Sequence, residues 1–75
     1  MSYYYALEHN DTVNGNYIYL DDILEDPDTH KISYYSTTGK PADAMHWDTD
    51  MDARKFLDNL PFKDSFHVQR MYKVK

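Results

Sequence analysis

The chain opens on strand formers. From Tyr3 to His9, alternation puts Tyr3, Tyr5 and Leu7 on one face and Tyr4, Ala6 and Glu8 on the other. A polar stretch follows, Asn10 to Asn16, and its Asn14-Gly15 dipeptide readily adopts the positive φ that a tight hairpin turn requires. Asn16 to Leu20 reads as the return strand, with Ile18 and Leu20 on the face opposite Tyr17 and Tyr19. Asp21 to Glu25 either extends that strand or forms one helical turn started by an aspartate, and Pro27 stops it. Lys31 to Ser36 is a further strand, centred on Ile32, Tyr34 and Tyr35, and Thr37 to Lys40 is a turn cluster around Gly39. Ala42 to Trp47 carries the weakest pattern, a returning strand that Pro41 confines to an edge or a strand start.

The clearest element is a helix over about residues 50–60. Thr49 is placed to cap it, Asp50 and Asp52 fall in the first turn where the helix dipole favours carboxylates, and Pro61 ends it. Ala53, Phe56, Leu57 and Leu60 repeat at i, i+3, i+4 and i+7, which makes one apolar stripe for burial against a sheet. Phe66, Val68, Tyr72 and Val74 then alternate with His67, Gln69, Met71 and Lys73 in a last strand. Arg70 interrupts the inward row, so the pattern predicts that it reaches a carboxylate at the rim. The strong alternation and the lack of proline or glycine predict a central position for this strand. The fold class is α+β: one domain spanning residues 1–75, a small antiparallel sheet of four or five strands with one helix on a face.

Composition narrows the function classes. At 41% hydrophobic and 28% charged residues the chain is too apolar for a disordered segment. Its net charge of −5 argues against a protein built as a whole to hold nucleic-acid phosphates. There are no cysteines, which fits a reducing cytoplasm. Met1 to Tyr5 has neither the basic residues nor the apolar run of a secretory signal, and no stretch approaches the roughly 20 apolar residues of a membrane span, so a cytoplasmic protein without membrane contact is expected. The triplet Asn10-Asp11-Thr12 matches a glycosylation sequon and reads as a turn in that setting.

No residue pattern points to catalysis. The serines sit in no nucleophile elbow, and the two glycines, Gly15 and Gly39, cannot make a phosphate-cradling loop. The four histidines, His9, His30, His46 and His67, are scattered singly, without metal-ligand spacing. The acidic run Asp21, Asp22, Glu25, Asp26, Asp28 has the oxygen count for a hard cation, but Pro27 interrupts it and no glycine opens a loop, so it reads as a solvated acidic surface. The expectation is a non-enzyme with no cofactor and no metal.

Eight tyrosines in 75 residues are the feature that remains. Three in succession, Tyr3-Tyr4-Tyr5, oblige both faces of the first strand to carry rings, and rigid rings are favoured at interfaces. Charge is also segregated. Residues 1–53 carry eleven acids against Lys31 and Lys40, a balance of −9, and residues 54–75 balance at +4. Tyr4, Tyr35 and Trp47, with the carboxylates Asp21, Asp22, Glu25 and Asp26, are therefore the candidate partner-binding residues.

The tyrosine-rich first strand, the stretch Trp47-Asp48-Thr49-Asp50, the short helix carrying Asp52-Ala53-Arg54-Lys55-Phe56-Leu57 and the closing strand together resemble short uncharacterised proteins of bacteriophages and mobile elements in Gram-positive bacteria. That resemblance implies a small protein, an inhibitor or adaptor, that docks onto a host protein; it assigns no individual residue. Two alternatives stand beside it. The eleven aspartates suit an acidic mimic of nucleic acid occupying a DNA-binding protein. The basic last strand with exposed tyrosines suits direct nucleic-acid binding, although Arg70 and Lys73 lie on opposite faces and break the stripe. An unpaired edge strand also offers a route to a homo-oligomer.

Overall fold

The computed structural model of the chain describes residues 2–73. Four strands form one antiparallel sheet: β1 (Tyr3–His9), β2 (Tyr19–Glu25), β3 (Ile32–Thr38) and β4 (Phe66–Tyr72), in the order β3-β2-β1-β4. One helix, α1 (Asp50–Asp58), covers one face, and single 3-10 turns precede it (Pro41–Asp43) and follow it (Lys63–Ser65). The expected α+β class is what the chain adopts.

β1 behaves as its alternation predicts. Leu7 is fully buried on the helix side with Leu20, Leu60 and Phe66, and Ala6 is fully buried on the other side with Tyr19 and Ala44. The Asn14-Gly15 turn also forms. Both residues have positive φ, and Val13 and Asn16 exchange two backbone hydrogen bonds of 2.9 Å across them. The strand after it begins at Tyr19 and continues through Asp21 to Glu25, so of the two readings of that segment the extended one holds. Asp26 then organises the loop: its Oδ1 accepts from the backbone N–H groups of Asp28 and Thr29, and its carbonyl accepts from His30.

The last strand is an edge strand, contrary to the expectation of a central place. It pairs with β1 at seven successive positions, from Tyr3↔Tyr72 to His9↔Phe66, and with no other strand. β1 takes an interior position, burying three consecutive residues, Ala6, Leu7 and Glu8, on both faces, where β2 buries two, Tyr19 and Leu20. Burial in β4 does not follow the alternation: on one row Phe66 is buried, Val68 half-buried and Arg70 and Tyr72 exposed, while His67, Gln69 and Met71 on the other are all half-buried.

Ala42 to Trp47 is not a strand. Pro41 starts a 3-10 turn, and the chain then threads between β1 and β2, which diverge after Glu8 meets Tyr19. Met45 donates its N–H to Leu20 of β2 at 3.0 Å, while Trp47 exchanges two backbone bonds with Tyr5 of β1, 2.8 and 2.9 Å. This segment closes the fork and supplies the pairing that β2 withholds from the first half of β1.

The helix starts as predicted: Thr49 has extended dihedrals and its Oγ1 accepts from the Asp52 N–H at 3.1 Å. Ala53 and Leu60 are buried, but Phe56 and Leu57 are only half-buried at the margin, where Phe56 leans on Trp47 with ring centroids 4.9 Å apart. The densest aromatic packing lies elsewhere, at Phe66, which meets Tyr35, Phe62 and His9 within 5.9 Å. Phe66→Ala should therefore cost about 3–5 kcal/mol, near the whole stability of so small a domain, and Phe56→Ala roughly half as much. Urea unfolding of the two variants checks the order; equal losses would place the centre of the core under the helix instead.

Candidate functional site

The residues singled out from sequence divide into two groups. Tyr35 and Trp47 belong to the core. Tyr35 lies 4.3 Å from Phe62 and 5.4 Å from Phe66, centroid to centroid, and Trp47 is wedged between β1 and Phe56. Tyr34, its neighbour, faces out in its stead. The inversion has a physical cause: the β2–β3 ladder slips twice, between Leu20 and Asp22 and between Leu24 and Glu25. Ile32 and Tyr35 therefore both pack on the core, although simple alternation would place them on opposite faces.

Asp21, Asp22, Glu25 and Asp26 all lie on β2 or at its end, but they do not act as one cluster. Asp21 is half-buried and accepts from the Ser36 hydroxyl at 3.3 Å. Asp26 is tied into its own loop, as above. Asp22 and Glu25 stay exposed, Glu25 pairing with His30 at 3.1 Å. Among the described residues, no three histidine or carboxylate side chains converge as a metal ion would require.

Two apolar surfaces emerge at opposite edges of the sheet. On β2–β3, Leu24 and Tyr34 are directly paired across the ladder, yet they are 60% and 62% exposed. Ile23 and Tyr35, one residue away on each strand, pack on the core, so Leu24 and Tyr34 project from the face that the helix leaves uncovered. Asp22, two residues before Leu24 on the same strand, borders the pair, while Glu25 stands opposite Ile32. A hollow of about 540 Å³ lined by Ile32, Tyr34, Tyr35 and Phe62 extends it round the β3 edge.

At the other edge, Tyr4, His46, Met71, Tyr72 and Lys73 line a groove of about 630 Å³. Tyr4 is fixed there by an edge-on contact with the His46 ring, 5.7 Å between centroids. Among the described residues, Arg70 does not reach a carboxylate as its sequence context suggests. Its guanidinium lies 4.8 Å from the centre of the Tyr3 ring and 5.9 Å from that of Tyr72. These rings offer a face for the exposed cation. Val74, expected on the same row, lies outside the described residues.

Between the two surfaces runs a polar network that sequence reasoning missed. Glu8 is 8% exposed and meets His67 Nε2 at 3.0 Å. His67 Nδ1 meets Asn10 Oδ1 at 2.6 Å, and the Asn10 amide nitrogen donates to the Asp64 carbonyl at 2.7 Å. The Tyr19 phenol also lies within the influence of the Glu8 carboxylate. The network links β1, β2, β4 and the turn before β4, and among the described residues no buried side-chain polar atom is left without a partner. Glu8 opposite His67 is the one signal in the chain, and it becomes readable only once β1 and β4 are known to be neighbours. Glu8 and Tyr19 also line a hollow of about 400 Å³ with Tyr17, Gln69 and Arg70.

No protein-family model, no curated protein and no solved structure matches the chain. Among the described residues, no helix is long and apolar enough to cross a membrane.

Tyr19 gives the network a measurable signature. Burial raises its phenol pKa above the ordinary 10.0, and the Glu8 carboxylate raises it further. A group raised in the folded state contributes stability in full below about 10 and loses it as pH rises through the folded value. Alkaline titration should show one phenol ionising after the others, with stability falling over the same interval, and Tyr19→Phe should remove that late step. Simultaneous ionisation of all the tyrosines would contradict the buried Tyr19–Glu8 contact.

Proposed function

We propose that the protein is a non-enzymatic binding module that docks onto another protein through exposed tyrosine and an acidic border. The observation that carries this reading is the Leu24–Tyr34 pair, two large apolar side chains exposed side by side and bordered by Asp22. Single exposed apolar residues are ordinary, but a directly paired aliphatic and aromatic residue with a charged rim has the anatomy of an interface centre. Of the candidate residues, Asp22 serves this surface, Tyr4 serves the groove at the far edge, Glu25 is paired with His30 at the end of the strand, and Tyr35 and Trp47 support the scaffold beneath. Resemblance to short phage and mobile-element proteins, for which docking onto a host protein is the expected mode of action, supports a host protein as the partner.

The carboxylate border implies a basic rim on that partner and makes an acidic mimic of nucleic acid the competing reading. Salt separates the two. A Leu24–Tyr34 interface keeps most of its affinity at high salt, whereas a mimic loses it steeply. Capture from a bacterial lysate with the wild type and with the double variant Leu24→Ser, Tyr34→Ser provides the test. A specific protein should be retained by the wild type at high salt, with affinity falling about 30-fold or more in the variant, as for an interface hot spot. Both side chains are exposed, so the variant keeps its fold. Equal retention by both chains would overturn the reading, and release of the partner by salt alone would favour the mimic.

A further inference from the structure

The chain has two arginines and thirteen acids. Arg54 is paired with Asp50 in the ordinary way, one helical turn apart at 3.0 Å. Arg70 is not: among the described residues its guanidinium forms no ion pair, and it rests on the Tyr3 and Tyr72 rings, which are themselves 5.1 Å apart. A guanidinium held by its face against an aromatic ring keeps its in-plane N–H donors for other partners, and the ring restricts its rotamers in advance. Lys73, exposed one position beyond Tyr72, adds a second positive charge.

We propose that Tyr3, Arg70 and Tyr72 form a carboxylate-binding point, whose occupant is an acidic segment of a partner protein. The fork of N–H donors matches a carboxylate with two parallel hydrogen bonds. Tyr72 also lines the groove that holds Tyr4, His46 and Met71, so an apolar side chain next to the bound carboxylate has a place to sit. Charge selects a peptide over a nucleic acid. A phosphate chain needs a track of cations, whereas Arg70 and Lys73 make a single spot. The site is on β4, at the sheet edge opposite the Leu24–Tyr34 surface, and stands independently of what that surface binds. The protein thus has two poles of opposite charge, one suited to a basic partner and one to an acidic one.

The test is a nuclear magnetic resonance titration of the full chain with an end-blocked tetraglutamate peptide, following Arg70 Nε–H and the Tyr3 and Tyr72 ring protons. Saturable shifts confined to these groups and their groove neighbours are expected, weakening as salt is added. Arg70→Gln should weaken binding about tenfold or more, in line with the loss of a charge-assisted hydrogen bond. Arg70→Lys should fall between, since it keeps the charge and loses the fork. Tyr3→Leu, which leaves Arg70 in place without its support, should weaken binding less than Arg70→Gln, and gives a reading should the glutamine variant fold poorly. Absence of saturable shifts at Arg70, unchanged affinity in Arg70→Gln, or tighter binding of a short oligothymidylate than of the peptide would each overturn the proposal.

Discussion

Strand β1 is buried on both faces at Ala6, Leu7 and Glu8, and its two edges are hydrogen-bonded by three separate segments. That double burial is the constraint from which the architecture follows. A strand covered on both sides needs apolar or fully paired side chains in succession, and every backbone group along it needs a partner. β4 satisfies one edge along its whole length. The other edge is shared, with β2 at Glu8 and His9 and the Met45–Trp47 segment at Tyr5. Because β2 turns away after this short contact, the sheet consists of two ladders, β1–β4 and β2–β3, joined at a neck and braced by the inserted segment.

The neck explains where charge and polarity end up. Glu8 is at its centre, and burying a carboxylate there is tolerated only because Tyr19 and His67 surround it and Asn10 anchors His67 in turn. On either side, the two ladders carry different surfaces. The β2–β3 ladder holds the exposed acids with Leu24 and Tyr34, and the β1–β4 ladder holds Arg70 with Tyr3 and Tyr72. β2, with its exposed acids, and β4, with Arg70, are not neighbours in the sheet.

Local signals were legible and non-local ones were not. The faces of β1, the Asn14-Gly15 turn and the Thr49 cap each depend on dihedral preference or on alternation within a few residues, and each appears in the structure where the sequence places it. Tyr34 and Tyr35 exchange roles because the β2–β3 register slips, and a slip is a property of two strands together. The edge position of β4 was hidden for a similar reason: alternation says nothing of how many neighbours a strand has. Arg70 looked like a buried charge needing a carboxylate, but its side chain is exposed, so aromatic faces suffice. Among the candidate residues, the acids of β2 could be read as surface from their spacing. Whether a given tyrosine belonged to the core or to the surface depended on tertiary contacts that no local pattern encodes.

The pairing of β1 with β4 also sets the order in which the chain can acquire its structure. Glu8 and His67 are 59 residues apart in sequence, and the central strand has no complete partner until that distance is closed. The β2–β3 hairpin and the helix form from neighbours in the chain, whereas β1 must wait, with Ala6 and Leu7 exposed, for a segment far along the chain. Closing so long a loop costs entropy before any contact repays it, which puts the barrier to folding at the meeting of β1 and β4. Substitutions in that ladder will slow folding, while those in the β2–β3 hairpin will chiefly hasten unfolding.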